Sequence, residues 1–379
     1  MAFKSSINAP SSSRSHVFGR FRAVAGVCFG LGLGLVLSAA KASALTFTNY
    51  TTANGLGSNT VTGVYASGTS IYVATTGGLS ISTNGGTSFT NITSANGLGS
   101  DYVRDVYVSG STIYAATFGG LSISTNGGTS FTSKTTANGL GHDVVQRVYA
   151  DGNNVYAATS EGLSISTDGG TSFTNKTTTD GLGSNVVVGV SASGSTIYAA
   201  TFGGLSISTN GGTSFTNKTT TDGLGSNVLS RIYAAGSTIY AATQAGLSIS
   251  SNGGTSFINK TTANGLGSND VNGVYAEGNN VYASTPLGLS ISTDGGTTFT
   301  NTTTADGLGN NYVTGVYAYG NYLYAATLNG LSIAQLSPPS SPAPGPVPLF
   351  GAGAAFSWSR RLRRRLPATR HSLAAGGRG

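Results

Sequence analysis

The stretch NGLGSNTVTGVYASGTSIYVATTGGLSISTNGGTSFTNIT, residues 54–93, decides the fold, because the chain carries seven copies of it at a constant spacing of 42 residues. A Gly-Leu pair marks each copy, at Gly55, Gly97, Gly139, Gly181, Gly223, Gly265 and Gly307. A fixed period of this length indicates a repeat architecture, in which each copy is one supersecondary unit that buries its apolar faces against its neighbours.

Each complete copy contains four short runs rich in Val, Ile, Tyr, Phe and Thr, at 61–66, 70–75, 79–82 and 88–93 in the first copy. Such runs predict strands. Gly- and Asn-containing segments at 67–69, 76–78 and 83–87 separate them and supply the positive φ angles of tight hairpins. Four antiparallel strands per copy predict a β-propeller blade. The period is too long for a parallel β-helix or a leucine-rich repeat.

The two ends of the repeat region complement each other. Residues 45–52, LTFTNYTT, match the fourth-strand segment of an internal copy such as 213–220, TSFTNKTT, whereas the seventh copy stops at 334–336 without a fourth strand. Closing the ring would leave no open sheet edge. The sequence therefore predicts an all-β, seven-bladed propeller of four-stranded blades over residues 45–336, closed by the N-terminal strand completing the last blade.

The run 55–82 resembles the two-component-regulator propeller repeat, with Tyr72 and Ala74 where that family usually has Trp and Gly. The segment Ser82-Thr-Asn84-Gly-Gly86-Thr-Ser88-Phe89 resembles the Asp-box of sialidase-type propellers, with Asn for Asp and Phe for Trp. Both resemblances imply a propeller. The first implies a sensor domain and the second is shared with glycan-processing enzymes.

The Asp-box segment is interpreted as a folding device, because a short Asx side chain can accept hydrogen bonds from the backbone that follows it. Aspartate occurs there only at Asp168 and Asp294, so the position needs an acceptor and not a charge. One carboxylate per turn falls well short of the ~6–8 oxygen ligands that calcium takes. The sequence predicts no metal and no cofactor.

Residues 1–44 are predicted to be a secretory signal peptide. Lys4, Arg14, Arg20 and Arg22 precede the apolar stretch 23–40, and Ala42-Ser43-Ala44 offers a cleavage site. A retained membrane helix is the alternative. The single cysteine, Cys28, lies in this segment, so the mature chain is expected to contain no disulfide.

Beyond the repeats, residues 337–346 form a Pro/Ser-rich linker and 347–379 a tail with a short apolar segment and an arginine cluster. This order resembles the PEP-CTERM sorting signal. The match is incomplete, because the Val347-Pro348 pair is followed by Leu349 where that motif has Glu-Pro. The resemblance implies a sorting enzyme, an exosortase, as a partner, and transient membrane association through 347–365, because twelve apolar residues are fewer than the ~20 that span a bilayer. A basic disordered tail is the alternative.

Charge separates the propeller from the two ends. Its seven basic and twelve acidic residues give a net charge of −5, so the chain's overall +7 comes from the termini. Nucleic-acid binding by the propeller is not expected.

Catalytic constellations are absent from the repeats. His142 is the only histidine of residues 45–336, and it takes the place of Ser58 in a loop between blades. It allows neither a Ser/His/Asp arrangement nor a histidine metal site. No enzyme activity is predicted.

The copies differ most at the second-to-third turn and at the start of the inner strand, which meet at one mouth of a propeller's channel. We predict a ligand-binding rim there, with neutral drift as the alternative. Arg104 lies one position earlier in its copy than Arg147 and Arg231 do in theirs, which predicts that it faces away from them. The candidate residues are Arg104, Asp105, Gln146, Arg147, Arg231 and Asn272.

Three functions are compatible with these features of the sequence. The leading one is an exported, non-enzymatic propeller that binds a glycan, such as acidic polysaccharide, or a protein at the cell surface or in the extracellular matrix. The second is an extracytoplasmic sensor domain, although no kinase-like region or full-length transmembrane helix follows the repeats. A sialidase-like enzyme is the least favoured.

Overall fold

The apolar runs of each repeat pair with their sequence neighbours in the computed structural model, which describes residues 45–336. They form seven separate four-stranded antiparallel sheets, and each is one blade of a propeller. The predicted seven-bladed, four-stranded architecture is confirmed. We number the blades 1–7 by their inner strands along the chain.

Each blade runs outward from an inner strand next to the channel. The inner strands are Val61–Ser67, Val103–Ser109, Val145–Asp151, Val187–Ser193, Leu229–Ala235, Gly273–Glu277 and Val313–Tyr319. The second strands are Ser70–Thr75, Thr112–Thr117, Asn154–Thr159, Thr196–Thr201, Thr238–Thr243, Asn280–Thr285 and Tyr322–Thr327. The third strands are Gly78–Ser82, Gly120–Ser124, Gly162–Ser166, Gly204–Ser208, Gly246–Ser250, Gly288–Ser292 and Gly330–Gln335.

The outer strands are shorter than the sequence suggests. They are Thr90–Ile92, Thr132–Lys134, Thr174–Lys176, Thr216–Lys218, Ile258–Lys260, Thr300–Thr302 and, for blade 7, Phe47–Tyr50. In blade 1 the strand was expected to begin at residue 88. Ser88 instead donates its backbone N–H to Asn84 Oδ1 at 3.1 Å, so the Asp-box turn removes it from the ladder.

A short 3₁₀ helix, which the sequence pattern did not predict, precedes every inner strand. These helices are Thr52–Asn54, Ser94–Asn96, Thr136–Asn138, Thr178–Asp180, Thr220–Asp222, Thr262–Asn264 and Thr304–Asp306. Each ends at the repeat's Gly-Leu glycine; Gly55, for example, has φ +95°, and a Cβ there would lie 2.5 Å from the Phe89 carbonyl oxygen. The left-handed φ recurs at all seven of these glycines and the clash with a carbonyl oxygen at six, Gly307 being the exception. The φ alone favours glycine, which explains why this position marks every copy.

The core lies between blades. One cluster joins Leu79 and Ile81 of blade 1 to Val106, Ile113 and Phe131 of blade 2, and equivalent clusters recur around the ring. Both faces of each sheet are therefore buried. This explains why strands such as 112–117, TIYAAT, are almost continuously apolar.

The N-terminal strand closes the ring as predicted. It pairs with the third strand of blade 7 in the register Phe47↔Ala334 through Tyr50↔Leu331. Phe47 then fills the aromatic position held by Phe89 in blade 1, and packs in the cluster between blades 6 and 7. Ser332 Oγ donates to Asn49 Oδ1 at 2.6 Å, repeating the Ser80–Asn91 pair of blade 1.

The predicted signal peptide, 1–44, and the linker and tail, 337–379, lie outside the described residues. Among residues 45–336, no helix has the length and apolar character needed to cross a membrane.

Candidate functional site at the channel mouth

A β-bulge at the start of the inner strands brings the predicted rim residues together. In six blades the inner-strand register shifts by one residue at this point, as between Val103 and Asp105. The bulge leaves one extra residue, Arg104 in blade 2, outside the ladder. The expectation that Arg104 faces away from Arg147 is therefore wrong, because both side chains line one cup.

The cup is a cavity of about 620 Å³ at the mouth of the channel. Inner-strand starts, the second-to-third turns and the loops between blades all contribute to it, as the pattern of variation indicated. Of the six candidate residues it brings together Arg104, Gln146, Arg147 and Asn272. No Asp, Glu or His lies among the lining residues, so the cup offers no general acid or base of those types.

Arg104 belongs to a stack of side chains on the rim of blade 2. Its guanidinium carbon lies 5.2 Å from the centroid of the Phe118 ring, and the Tyr102 ring stacks on Phe118 with centroids 4.2 Å apart and planes 1° from parallel. Burial, followed by the charge of Arg147, lowers the pKa of Arg104. The stack presents a flat aromatic surface beside a cation.

Exposed apolar side chains surround the cup. Most of the large exposed hydrophobic residues of the described chain belong to the second-to-third turns or the loops between blades on this face: Phe118, Phe202, Leu287, Tyr312 and Leu328. We call them the apolar rim. The turns were recognised as variable from the sequence, but none of the candidate site residues lies in them. The signal was present, since several copies replace a small or polar turn residue with Phe or Leu.

Asn272 has a structural role. Its Nδ2 donates to the Val313 carbonyl at 2.8 Å and so ties blade 6 to blade 7. Thr62 makes the matching bond to Val103.

His142 stabilises its own loop, because its Nδ1 accepts the backbone N–H of Val144 at 2.9 Å. Ser58 Oγ accepts the backbone N–H of Thr60 in the same way.

A second cavity, of about 250 Å³, lies in the channel next to the cup and is lined by the other two candidates, Asp105 and Arg231. Arg147 lines both cavities, and its Nη1 donates to the carbonyls of Arg104 at 3.0 Å and Gln146 at 2.8 Å. Arg231 extends across the channel over Gly273 and Gly315, and its Nη2 lies 3.9 Å from Asp105 Oδ1.

Tyrosines form the next level of the channel: Tyr65, Tyr107, Tyr149, Tyr233, Tyr275 and Tyr317. Neighbouring rings lie with centroids 4.8–5.1 Å apart. Blade 4 has Ser191 at this position, so the ring is open on one side. Burial raises the tyrosine pKa values, and the neighbouring tyrosines add to the effect at Tyr107, Tyr275 and Tyr317.

No protein-family model and no curated protein sequence matches the chain. Solved structures do resemble it. The extracellular domain of the putative one-component system BT4673 from B. thetaiotaomicron aligns with a TM-score of 0.62 at 14% identity, over 76% of this chain and 40% of that one. The protein thus spans less than half of that structure.

Two further structures are similar at the same level. YCF48 from Cyanidioschyzon merolae aligns with a TM-score of 0.58 at 14% identity, over 77% of this chain and 98% of that one. PorZ, a surface component of the type-IX secretion system of Porphyromonas gingivalis, aligns at 0.55 and 15% identity, over 79% and 40%. The shared feature is the propeller. At these identities the likeness is one of fold alone.

Proposed function

We propose that this protein is an exported, non-enzymatic binding protein whose channel mouth binds acidic polysaccharide. The observation that carries the proposal is the cup itself, where Arg104 and Arg147 meet inside a rim of exposed aromatic and aliphatic side chains. Guanidinium groups suit carboxylates through paired hydrogen bonds. Aromatic rings supply rigid amphipathic contact surface at low entropic cost.

Charge distribution supports an anionic ligand. The propeller carries a net charge of −5, yet the residues lining the cup include two arginines and no acid. This local reversal of sign would attract anions to the mouth and leave the rest of the surface repelling them. The absence of Asp, Glu and His from the cup lining is the reason for proposing binding without hydrolysis.

A protein partner is the second candidate, favoured by the aliphatic part of the rim, Leu287 and Leu328. Apolar patches on an otherwise polar surface often mark protein interfaces. A solved structure of YCF48 bound to D1 peptide, similar to this chain with a TM-score of 0.59 at 14% identity, supports this candidate as an example of a propeller that holds a peptide.

The test is to titrate the purified full chain with a uronic-acid polymer at low and high salt. We expect salt-sensitive binding, and Arg104→Gln should weaken it roughly tenfold at low salt by removing a charge-assisted contact. Lys134→Gln is the matched control, since it removes the same charge from the outer strand of the same blade. Phe118→Ala should weaken binding roughly fivefold through lost stacking.

Equal affinity of the parent and Arg104→Gln, or no binding by either, would overturn the proposal. A neutral polysaccharide reports any charge-independent binding. If polyglutamate binds the parent more tightly than the uronic-acid polymer does, an acidic protein segment becomes the better assignment for this face.

Export and sorting are part of the proposal. Cleavage after residue 44 would place the new N-terminus directly before the closing strand Phe47–Tyr50, and the 337–379 segment would direct sorting at the cell envelope. N-terminal sequencing of protein recovered outside the cytoplasm tests this. A mature start inside the first repeat would contradict it, because the closing strand would be lost.

A further inference from the structure

The guanidinium of Arg231 lies in the channel without a hydrogen-bond acceptor. Its Nε and Nη2 atoms are buried, and no group within residues 45–336 accepts a hydrogen bond from either. Asp105 Oδ1, at 3.9 Å from Nη2, is beyond hydrogen-bond distance. Only 15% of the side-chain surface of each residue is exposed. A buried charged donor without an acceptor lowers the stability of the fold, which indicates that this group is retained for another reason.

The two unpaired atoms have a defined geometry. Nε and Nη2 lie on the same edge of the planar guanidinium group, and an edge of this kind donates two parallel hydrogen bonds to one carboxylate. Nη1 is on the other side of the group. The guanidinium lies over Gly315, where a Cβ would be 3.1 Å from Nη1 and 3.6 Å from Nη2. Glycine at this position therefore makes room for the Arg231 side chain.

The channel is also short of negative charge. Among the residues that line it, Arg147 and Arg231 face a single acid, Asp105. Asp105 is partly engaged elsewhere, because its Oδ2 accepts the backbone N–H of Val148 at 3.4 Å. Arg147 Nε is buried and unpaired as well. Burial, followed by the charge of Arg147, lowers the pKa of Arg231 to about 9, against the opposing effect of Asp105. One more anion would balance the cluster.

Space is present at the level of the charged residues. At the level of the charged residues four blades carry glycine, Gly63, Gly189, Gly273 and Gly315, and this leaves a cavity of about 250 Å³ above the tyrosines. One water occupies roughly 30 Å³ in the liquid, so the space can hold a small organic acid. Arg147 lines both cavities, so this space lies next to the cup.

We propose that the channel binds one carboxylate on the Nε–Nη2 edge of Arg231, and that this carboxylate belongs to the terminal sugar acid of a chain held in the cup. The inference rests on the proposed polysaccharide-binding function and deepens it. A chain end can enter the channel, whereas an internal residue, bonded on both sides, stays in the cup. The protein then recognises the end of an acidic glycan.

The experiment is calorimetric titration of the full chain with D-glucuronate, with D-glucose as the neutral control. Glucuronate should bind one per chain and glucose should not. Arg231→Gln should reduce the affinity for glucuronate at least tenfold by removing the bidentate contact. Lys134→Gln, which removes a positive charge from the outer strand of blade 2, should change it by less than about twofold, because that strand lies away from the channel.

Asp105→Asn gives an independent test in the opposite direction. It removes the acid that lines the cavity beside Arg231 and should strengthen glucuronate binding several-fold, since Arg231 loses its competing counter-charge. Thermal melting of each variant without ligand shows that it is folded. If Arg231→Gln does not fold, the Asp105→Asn result decides.

The outcomes separate this inference from the proposed function. Polymer binding that depends on Arg104 but is unchanged in Arg231→Gln, together with no glucuronate binding, overturns the channel site and leaves the proposed function intact. Glucuronate binding lost in Arg231→Gln supports the channel site even if the uronic-acid polymer does not bind. Equal glucuronate affinity of the parent, Arg231→Gln and Asp105→Asn overturns the channel site.

Discussion

At the scale of single residues, hydrogen-bond acceptors fix the turn between the third and outer strands. Ser166 Oγ accepts the backbone N–H of Gly170 at 2.9 Å and donates to Asp168 Oδ1 at 2.6 Å. Asn84 makes the equivalent contact with Ser82 at 2.8 Å. The interpretation of this motif as a folding device is confirmed by these bonds, and Asn serves as well as Asp because both present the same oxygen.

Asp168 and Asp294 differ from the asparagines in their response to acid. Hydrogen bonds from Ser166 and Ser172 hold the pKa of Asp168 well below its usual 3.8, and Ser292 and Thr298 do the same at Asp294. A folded-state pKa below the unfolded one contributes stability above the unfolded pKa, and this contribution is lost as the pH falls. The double variant Asp168→Asn/Asp294→Asn should therefore lose less stability than the parent below pH of about 4.

Urea unfolding of both proteins between neutral pH and pH of about 2 measures this difference. At neutral pH the two curves should nearly coincide, because Asn preserves the acceptor. Parallel loss of stability in acid would show that the carboxylates make no special contribution.

At the scale of elements, the closing strand is the place where the ring depends on the chain's first described residues. Phe47 is buried in the cluster between blades 6 and 7, together with Leu308 and Leu323. Its neighbour Thr48 is exposed. The same strand therefore supplies a core position and a surface position within two residues.

Phe47→Ala should destabilise the protein by about 3–5 kcal/mol, because it leaves a cavity at the closure. The melting temperature should fall on the order of 10 °C. Thr48→Ala is the control and should change it by no more than about 2 °C, as expected for an exposed site. Similar melting of the parent and Phe47→Ala would mean that the last blade does not need this strand.

At the scale of the whole molecule, the channel is organised in levels: an open cup, a charged level and a tyrosine level. Its tyrosines come from six different blades, so the level exists only when the ring is closed. Burial raises the pKa of Tyr65, and Tyr317 lies against it with ring centroids 4.9 Å apart. The neutral hydroxyl is the form that the folded channel accommodates.

Alkali should consequently unfold the protein. A tyrosine pKa raised by folding contributes stability below the unfolded value of about 10, and that contribution is lost as the pH rises through the folded value. Tyrosinate absorbance from the channel should appear together with loss of the β-sheet circular dichroism signal. Tyr317→Phe removes one titrating group and should move the transition to higher pH. Ionisation of all tyrosines near pH of about 10, with the circular dichroism unchanged, would contradict this prediction.

The sequence alone determined the propeller, its seven blades and its closure, because a period of 42 residues and an orphan strand segment are both visible without coordinates. It also identified the variable turns and the charged residues of the mouth. Local patterns suffice for these features, since each blade is built from contacts within one repeat and with its neighbours.

Only the tertiary structure decided how the candidate residues are arranged. A bulge of one residue put Arg104 into the same cup as Arg147, and sequence alternation cannot reveal such an insertion. Arg231 and Asp105 come from blades 5 and 2, 126 positions apart in the chain, yet lie 3.9 Å apart across the channel. Closing the ring brings these two residues together. It also places the charged level below the open cup, where it is buried.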